Sequence, residues 1–397
     1  MNPSDIWIKE NLETEFFNPH VEDFEKAFHY FYQPNSSTII TIGGTNGKGE
    51  CSRSLAHLFK QNNYTYCLWT SPHLKTVRER IASEKGLITD SEALVFFEST
   101  KKICQEKKWV LSFYEFLFIC FLQFAQKRNP QFLILEVGMG GRLDAVNKLD
   151  ADLCAITSIS RDHQEYLGPT LRHILREKLG ITRAHKTLLT TFELAYLRKL
   201  TQKHCLEHQV NWTDLFEKGH LKSQDSFTRR NQYLSAQMYQ ILTGGKDGIE
   251  ELIKDNFVQS TEYHAGQWQN NYWEIRGTHN VDGMRKLVHF LYDETYNKKE
   301  RKNYQYMLLS FSQRSMKEME VMIKVLKSHP CLFDNLFLYI GRFHKAASEE
   351  SIQYLGRKFA LPVVDDWKKL LQGNSGQRIL FLGSNYFVGH LLHELEY

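Results

Sequence analysis

An unbroken apolar and β-branched run, Ile39-Ile40-Thr41-Ile42, stops at glycines 43, 44, 47 and 49. Apolar positions then recur at helical spacing, at Cys51, Leu55, Leu58 and Phe59. A short apolar run bounded by turn residues predicts a buried strand, and the three-to-four spacing predicts a helix. The alternation continues along the chain. Strands are predicted at 64–69, 132–137, 153–158 and 187–191, and helices at 89–104, 115–127 and 170–179. Thr89 and Glu92 have capping-box spacing, and Thr170 is a plausible cap. Another helix is expected at 231–242, stopped by Gly244-Gly245. A second series follows, with strands at 272–275, 305–311, 336–340 and 379–382 and helices at 282–292, 316–327 and 348–359. Strands alternating with helices define the fold class as α/β, with mostly parallel sheets covered on both faces. The pattern divides into domains 1–262 and 263–397, with no internal repeat.

The 397 residues suffice for two full cores. A net charge of +4 without a long Lys/Arg run argues against nucleic acid or a membrane surface as partner. The cysteines at 51, 67, 104, 120, 154, 205 and 331 form no C-x-x-C pair, so they read as reduced thiols. The longest apolar stretch, 116–124, is too short to span a bilayer. The first residues lack a basic-then-apolar leader, and a cytoplasmic protein is expected.

Strand, glycine turn and helix around Lys48 are the context of a phosphate-binding loop. Backbone N–H groups turn inward, and the lysine reaches the terminal phosphates. Here Ile42 stands six residues before Lys48, and Gly49-Glu50 follow it, so the loop is a variant of the usual pattern. A magnesium–nucleotide site needs oxygen ligands. Glu136, at the end of an apolar strand, is the first candidate, with Asp144 and Asp162 behind it. His163 reads as a metal ligand, a general base or a hydrogen-bonded core histidine. Taken singly, Lys178 reads as a surface lysine and Asn231 as a helix cap. His279-Asn280 read as a cap and its neighbour. The glycine loop, Glu136 and the Asp162–His163 loop all follow strand ends, where ligands bind in such sheets.

The segments GGTNGKG (43–49), TSPHLKTVRERI (70–81), SFYEF (112–116), LILEVGMGGRLDAVN (133–147), SISRDHQEYLG (158–168), REKLGI (176–181), RNQ (230–232), RGTHN (276–280) and FLGSNYFVG (381–389) occur in that order. This set closely resembles the folylpolyglutamate synthase/dihydrofolate synthase family of Mur-type ATP-dependent amide ligases. The match is strongest between residues 43 and 181 and poor over the first 37. The resemblance implies an N-terminal P-loop domain and a smaller C-terminal Rossmann-like α/β domain. It implies a monomer that uses ATP and two magnesium ions to join L-glutamate to dihydropteroate, reduced folates or both. The acid is activated as an acyl phosphate, which the glutamate amine attacks.

Site roles follow from the resemblance residue by residue. Thr45, Asn46, Gly47, Lys48 and Gly49 match the triphosphate loop, and Asn231 an ATP contact. Ser71 and Glu136 match the ligands of one magnesium, His163 that of the second, and Lys178 the lysine that the family carbamylates. Lys48, His163 and Lys178 are thus the implied catalytic set. Ser112, Phe113, Tyr114 and Glu115, with Leu143, Asp144 and Ala145, match segments lining the pterin pocket. His279 and Asn280 match a nucleotide-facing motif. The chain departs from the family pattern at four places. Glu50 replaces a serine, Gln267 an arginine, Arg276 an aspartate and Arg161 an apolar residue. Arg276 is a candidate to replace the lost cation in the ATP site. The alternative is a divergent paralogue that binds nucleotide or pterin without ligating.

Overall fold

The computed structural model describes residues 2–12, 21–216, 221–222, 225–245, 248–254, 263–278, 280–297, 304–343, 345–372 and 375–395. They fall into two compact units, Met1–Val258 and Gln259–Tyr397.

The first unit is built on an eight-stranded sheet. Its strands are β1 (Thr38–Gly43), β2 (Tyr66–Trp69), β3 (Ile81–Ser83), β4 (Gly86–Leu87), β5 (Phe132–Glu136), β6 (Leu153–Ile156), β7 (Thr187–Thr190) and β8 (Asn211–Asp214). Their order is β4-β3-β2-β5-β1-β6-β7-β8, with β1 between β5 and β6. All neighbours are parallel except β2/β3 and β3/β4. Side chains alternate faces along a strand, and both faces are buried here. Cys67, Trp69, Leu133, Leu135, Cys154 and Ile156 enter one core. Ile40, Ile42, Leu68, Ile134, Leu153 and Ala155 enter the other. That explains the unbroken apolar strands of the sequence. The register sets Ile42 beside Glu136 and Gly43 beside Ile156, so the glycine loop, Glu136 and the loop after β6 leave the sheet at one level.

The second unit has a six-stranded sheet of β9 (Tyr263–Trp268), β10 (Asn271–Gly277), β11 (Tyr304–Leu309), β12 (Phe333–Tyr339), β13 (Val363–Val364) and β14 (Arg378–Gly383). Its order is β13-β12-β11-β14-β10-β9, and only β9 is antiparallel to its neighbour. Met307, Leu309, Leu336, Leu338, Leu380 and Leu382 pack with the apolar faces of helices Val281–Asn297, Met316–Lys327 and Glu349–Phe359.

The structure bears out the α/β class and adds elements that the pattern did not reveal. Strands β3, β4, β8, β9 and β13 lie toward sheet edges and are short or polar. Helix Ala195–Glu207 buries only Leu197, Thr201 and Cys205, too thin a stripe to stand out. The helix expected from 231 starts at Phe227, because Ser226 caps it by accepting a bond from the Arg229 N–H. Asn231 is therefore an interior helix residue, not a cap. All seven cysteines are free thiols. Among the described residues, no helix is long and apolar enough to cross a membrane.

Candidate active site

The glycine loop connects β1 to helix Lys48–Gln61. Gly44 and Gly47 have positive φ, at 141° and 86°, which side chains disfavour. A Cβ on Gly47 would lie 2.3 Å from Asn231 Nδ2, so this turn requires glycine twice over. The loop after β6 braces it. Ser158 Oγ accepts from the Asn46 N–H at 2.9 Å, Thr157 Oγ1 donates to the Asn46 carbonyl at 2.8 Å, and Asn46 Nδ2 donates to Ser160 Oγ at 3.1 Å. Thr45 Oγ1 accepts from the Ser160 N–H at 3.1 Å. Lys48 opens the helix and donates to the Thr45 carbonyl at 3.2 Å. The glycine loop is thus held by side chains of the loop after β6.

Lys178 is buried, not a surface lysine, at 4 % exposure. Its Nζ donates to the Gly44 carbonyl at 2.8 Å, which fixes the amine under the phosphate loop. Burial and then the neighbouring Lys48 charge push its pKa down to about 7, against the pull of Asp162 and Asp144. Its segment is tied to the loop after β5, where the Arg142 N–H donates to the Glu177 carbonyl at 2.9 Å. His163 has a left-handed backbone, with φ of 48°. Its ring is half exposed, and Nδ1 lies 3.9 Å from Glu165. It is therefore not a hydrogen-bonded core histidine.

Glu136 is 4 % exposed and faces inward, not solvent. Burial raises its pKa, opposed by the positive charges of Lys48, Arg53 and Arg80 and by the Ser71 N–H. That N–H donates to Glu136 Oε2 at 3.0 Å, which sets Ser71 and Glu136 side by side. Arg53 and Arg80 escaped the sequence reading, although each sits in or beside a quoted motif. Arg80 donates to His73 Nδ1 at 2.9 Å and stacks over Phe113 at 5.3 Å.

The two segments matched to the pterin pocket meet at Tyr114 and Asp144. Tyr114 Oη donates to Asp144 Oδ1 at 3.0 Å and accepts from Trp69 Nε1 and the Gly138 N–H, both at 3.1 Å. Asp144 also accepts from the Met139 and Val146 N–H groups at 2.9 and 3.1 Å. Burial raises the Asp144 pKa and, first among its causes, that of Tyr114. Ser112 and Glu115 form a capping box for helix Phe113–Arg128. Ala145 is buried, whereas Leu143 is 78 % exposed.

In the second unit, Arg276 has partners within its own sheet. Its guanidinium lies 3.9 Å from the Tyr263 ring centroid and 5.3 Å from that of Phe290, and 3.4 Å from Glu274 Oε2. Glu274 also pairs with Arg378 at 3.0 Å and accepts from Tyr304 Oη at 2.9 Å. Asn280 Oδ1 accepts from the Gly283 N–H at 2.8 Å, as a helix cap does. His279 lies outside the described residues. Gln267 sits on β9, opposite Tyr272.

Ser71 and Glu136 offer hard oxygen donors side by side. That suits magnesium, which takes few protein ligands and keeps waters and phosphate oxygens. Among the described residues, no group of three or more His, Cys, Asp or Glu assembles as a full metal cage. The donor set therefore fits a metal that arrives with a phosphorylated ligand.

A mostly parallel sheet with a glycine loop, a braced lysine and a strand-end carboxylate is an arrangement that can hold the phosphates of a nucleotide. The Mur ligase middle domain model matches residues 115–253. Among curated relatives, the chain is 35% identical over 148 residues to the dihydrofolate synthase/folylpolyglutamate synthase of Escherichia coli, covering 37% of this chain and 35% of that protein. It is 37% identical over 186 residues to the Haemophilus influenzae protein of the same name, covering 46% and 41%. The chain thus spans well under half the length of the curated relatives it matches. Among solved structures, folylpolyglutamate synthase of Mycobacterium tuberculosis, complexed with ADP and AMPPCP, superposes with a TM-score of 0.81 at 17% identity over 99% of this chain and 98% of that one. The bifunctional Yersinia pestis synthase, complexed with AMPPNP and Mn ion, gives 0.79 at 20% identity over 100% and 99%. These likenesses bear out the family resemblance drawn from the motifs and the α/β fold class.

Proposed function

We propose that this chain is an ATP-dependent ligase that joins L-glutamate to dihydropteroate or a reduced folate. The observation that carries this reading is Lys178, buried under the phosphate loop with a pKa of about 7. A lysine kept half-neutral beside a second lysine is costly as structure and suited to chemistry. Lys48 and the loop N–H groups hold the β- and γ-phosphates. Thr45, Asn46, Gly49 and Asn231 complete the nucleotide contacts within the first unit. Ser71, Glu136 and His163 would hold magnesium, in up to two ions, and the bound metal would supply neutralisation of phosphate charge. The neutral Lys178 amine takes up carbon dioxide as a carbamate and releases a proton. The side chain, half-neutral before the step, then carries a negative charge. The acid's carboxylate oxygen attacks the γ-phosphorus and ADP leaves. The glutamate amine then attacks the acyl carbon, phosphate leaves, and the amine proton passes to solvent. Phe113 and the Tyr114–Asp144 network shape the pterin wall, Ser112 and Glu115 hold its helix, and Leu143 and Ala145 flank it.

The free thiols suit a reducing cytoplasm, and a monomer is expected by size-exclusion chromatography. The test of the reaction is ADP release that requires both glutamate and a pterin acid. The test of the lysine is a carbamate resonance from 13C-bicarbonate, present in wild type and absent in Lys178→Ala. Its absence from wild type would remove the carbamate from the scheme.

A further inference from the structure

Glu50 is the residue at which the phosphate loop departs from the family pattern, and its contacts are specific. Asn231 Nδ2 donates to Glu50 Oε2 at 2.6 Å. The other oxygen, Oε1, is buried and has no hydrogen-bond partner among the described residues. Asn231 is 2 % exposed, and its carboxamide lies flat on Gly47, where a Cβ would fall 2.3 Å from Nδ2 and 2.7 Å from Oδ1.

A carboxylate only accepts hydrogen bonds, so it dictates which end of the carboxamide it meets. The amide nitrogen must face Glu50, and the flip that would exchange O and N is closed. Asn231 Oδ1 accepts no hydrogen bond from the described residues. It is left as an acceptor at the edge of the phosphate loop. The phosphate chain of a nucleotide carries no donor for it at neutral pH. The donors of a nucleotide lie on its nucleoside part, as ribose hydroxyls or an exocyclic base amine.

We propose that Glu50 is a positioning residue that locks the Asn231 carboxamide, so that Oδ1 selects a nucleotide by a hydrogen-bond donor on its nucleoside half. The inference rests on the nucleotide reading above. It also gives the carboxylate a role other than repelling phosphate. A bond from a neutral amide to a charged acceptor is among the stronger ones. Its loss frees the carboxamide to present its nitrogen instead.

The test is calorimetric binding of ADP, inosine diphosphate and 2′,3′-dideoxyadenosine diphosphate to wild type, Glu50→Ala, Glu50→Gln, Asn231→Ala and the Glu50→Ala/Asn231→Ala double variant. Melting curves confirm that each variant is folded. All three ligands carry the same diphosphate, so the electrostatic effect of removing the Glu50 charge cancels in their ratios. Inosine diphosphate reports a base amine as donor, and the dideoxy compound reports ribose hydroxyls. Wild type is expected to prefer ADP over one of the two by about tenfold or more. Glu50→Ala should collapse that ratio toward unity, and Glu50→Gln, which keeps an acceptor, should retain most of it. In the Asn231→Ala background, Glu50→Ala should change the ratio no further. Unchanged ratios in Glu50→Ala, or losses that add in the double variant, would overturn the inference. Wild type that binds none of the three would overturn the nucleotide reading and this inference with it. Wild type that binds ADP with Glu50→Ala unaltered would overturn this inference alone.

Discussion

Both units are α/β sheets with buried charged residues, yet they handle that charge differently. In the second unit, Glu274 is shared by Arg276, Arg378 and Tyr304, and the Arg276 guanidinium lies against Tyr263 and Phe290. The opposite charges pair with one another, although Arg276 Nε and Arg378 Nε have no hydrogen-bond partner among the described residues, and burial and then Glu274 push the Tyr304 hydroxyl well above its ordinary pKa. In the first unit, Lys178 is buried near a second lysine with its pKa pushed down to about 7. Glu136 is buried with its pKa raised despite three nearby cations. Paired opposite charges are most often structural, whereas a buried lysine beside a second lysine and a buried strand-end carboxylate are candidates for chemistry. The contrast makes Lys178 and Glu136 of the first unit the residues on which the proposed chemistry is tested.

The most severe way to break this contrast is Lys48→Ala. It should cut ATP turnover by about 10²–10³ with no loss of folded structure; turnover near wild type would remove the phosphate loop from the account. Lys178→Met should come next, with a comparable loss of turnover and a changed response to pH. The folded pKa of Lys178 lies below its ordinary 10.5, so between about 7 and 10.5 the unfolded chain binds more protons. Its contribution to stability therefore rises with pH across that window. Urea melts at pH 6 and pH 9 should show this slope in wild type and lose it in Lys178→Met. An unchanged slope would mean that Lys178 is not buried as described.

Arg276→Ala sharpens the contrast from the other side. Loss of the stacked ion pair should lower stability by about 1–3 kcal/mol and leave ATP turnover near wild type. Abolished turnover at unchanged melting temperature would instead make Arg276 the replacement for the missing family cation. The smallest effect is expected for Asp144→Asn, in which an amide replaces the carboxylate that accepts from Tyr114, Met139 and Val146. About 1–2 kcal/mol of stability should be lost, with the acid's KM raised more than kcat is lowered. An unchanged KM would leave the network purely structural.

The parts of this molecule that are local in sequence were legible in it. The strand, glycine turn and helix around Lys48 announce themselves by composition, and β5 ends visibly at Glu136. The central strands are apolar on both faces, whereas β8 and β9 are edge strands with polar residues among the apolar ones. The motif residues were identified, but not their burial. Alone, Lys178 and Asn231 look like surface and cap positions, and only the folded chain puts one under Gly44 and the other on Gly47. The Glu50–Asn231 contact joins residues far apart in sequence, and no local pattern encodes it. Arg80 lay within the 70–81 motif, but its stacking on Phe113 depends on the packing of helix Phe113–Arg128.

The central claim is that the first unit's buried lysine and carboxylate serve glutamyl ligation. The most direct test incubates purified protein with ATP, magnesium, bicarbonate and L-glutamate, with dihydropteroate in one reaction and tetrahydrofolate in another. Products are read by mass spectrometry and ADP is counted in parallel. The account predicts a glutamyl conjugate in at least one reaction, matched mole for mole by ADP and lost in Lys178→Met. Folded protein that yields neither conjugate nor ADP with either acid would contradict it.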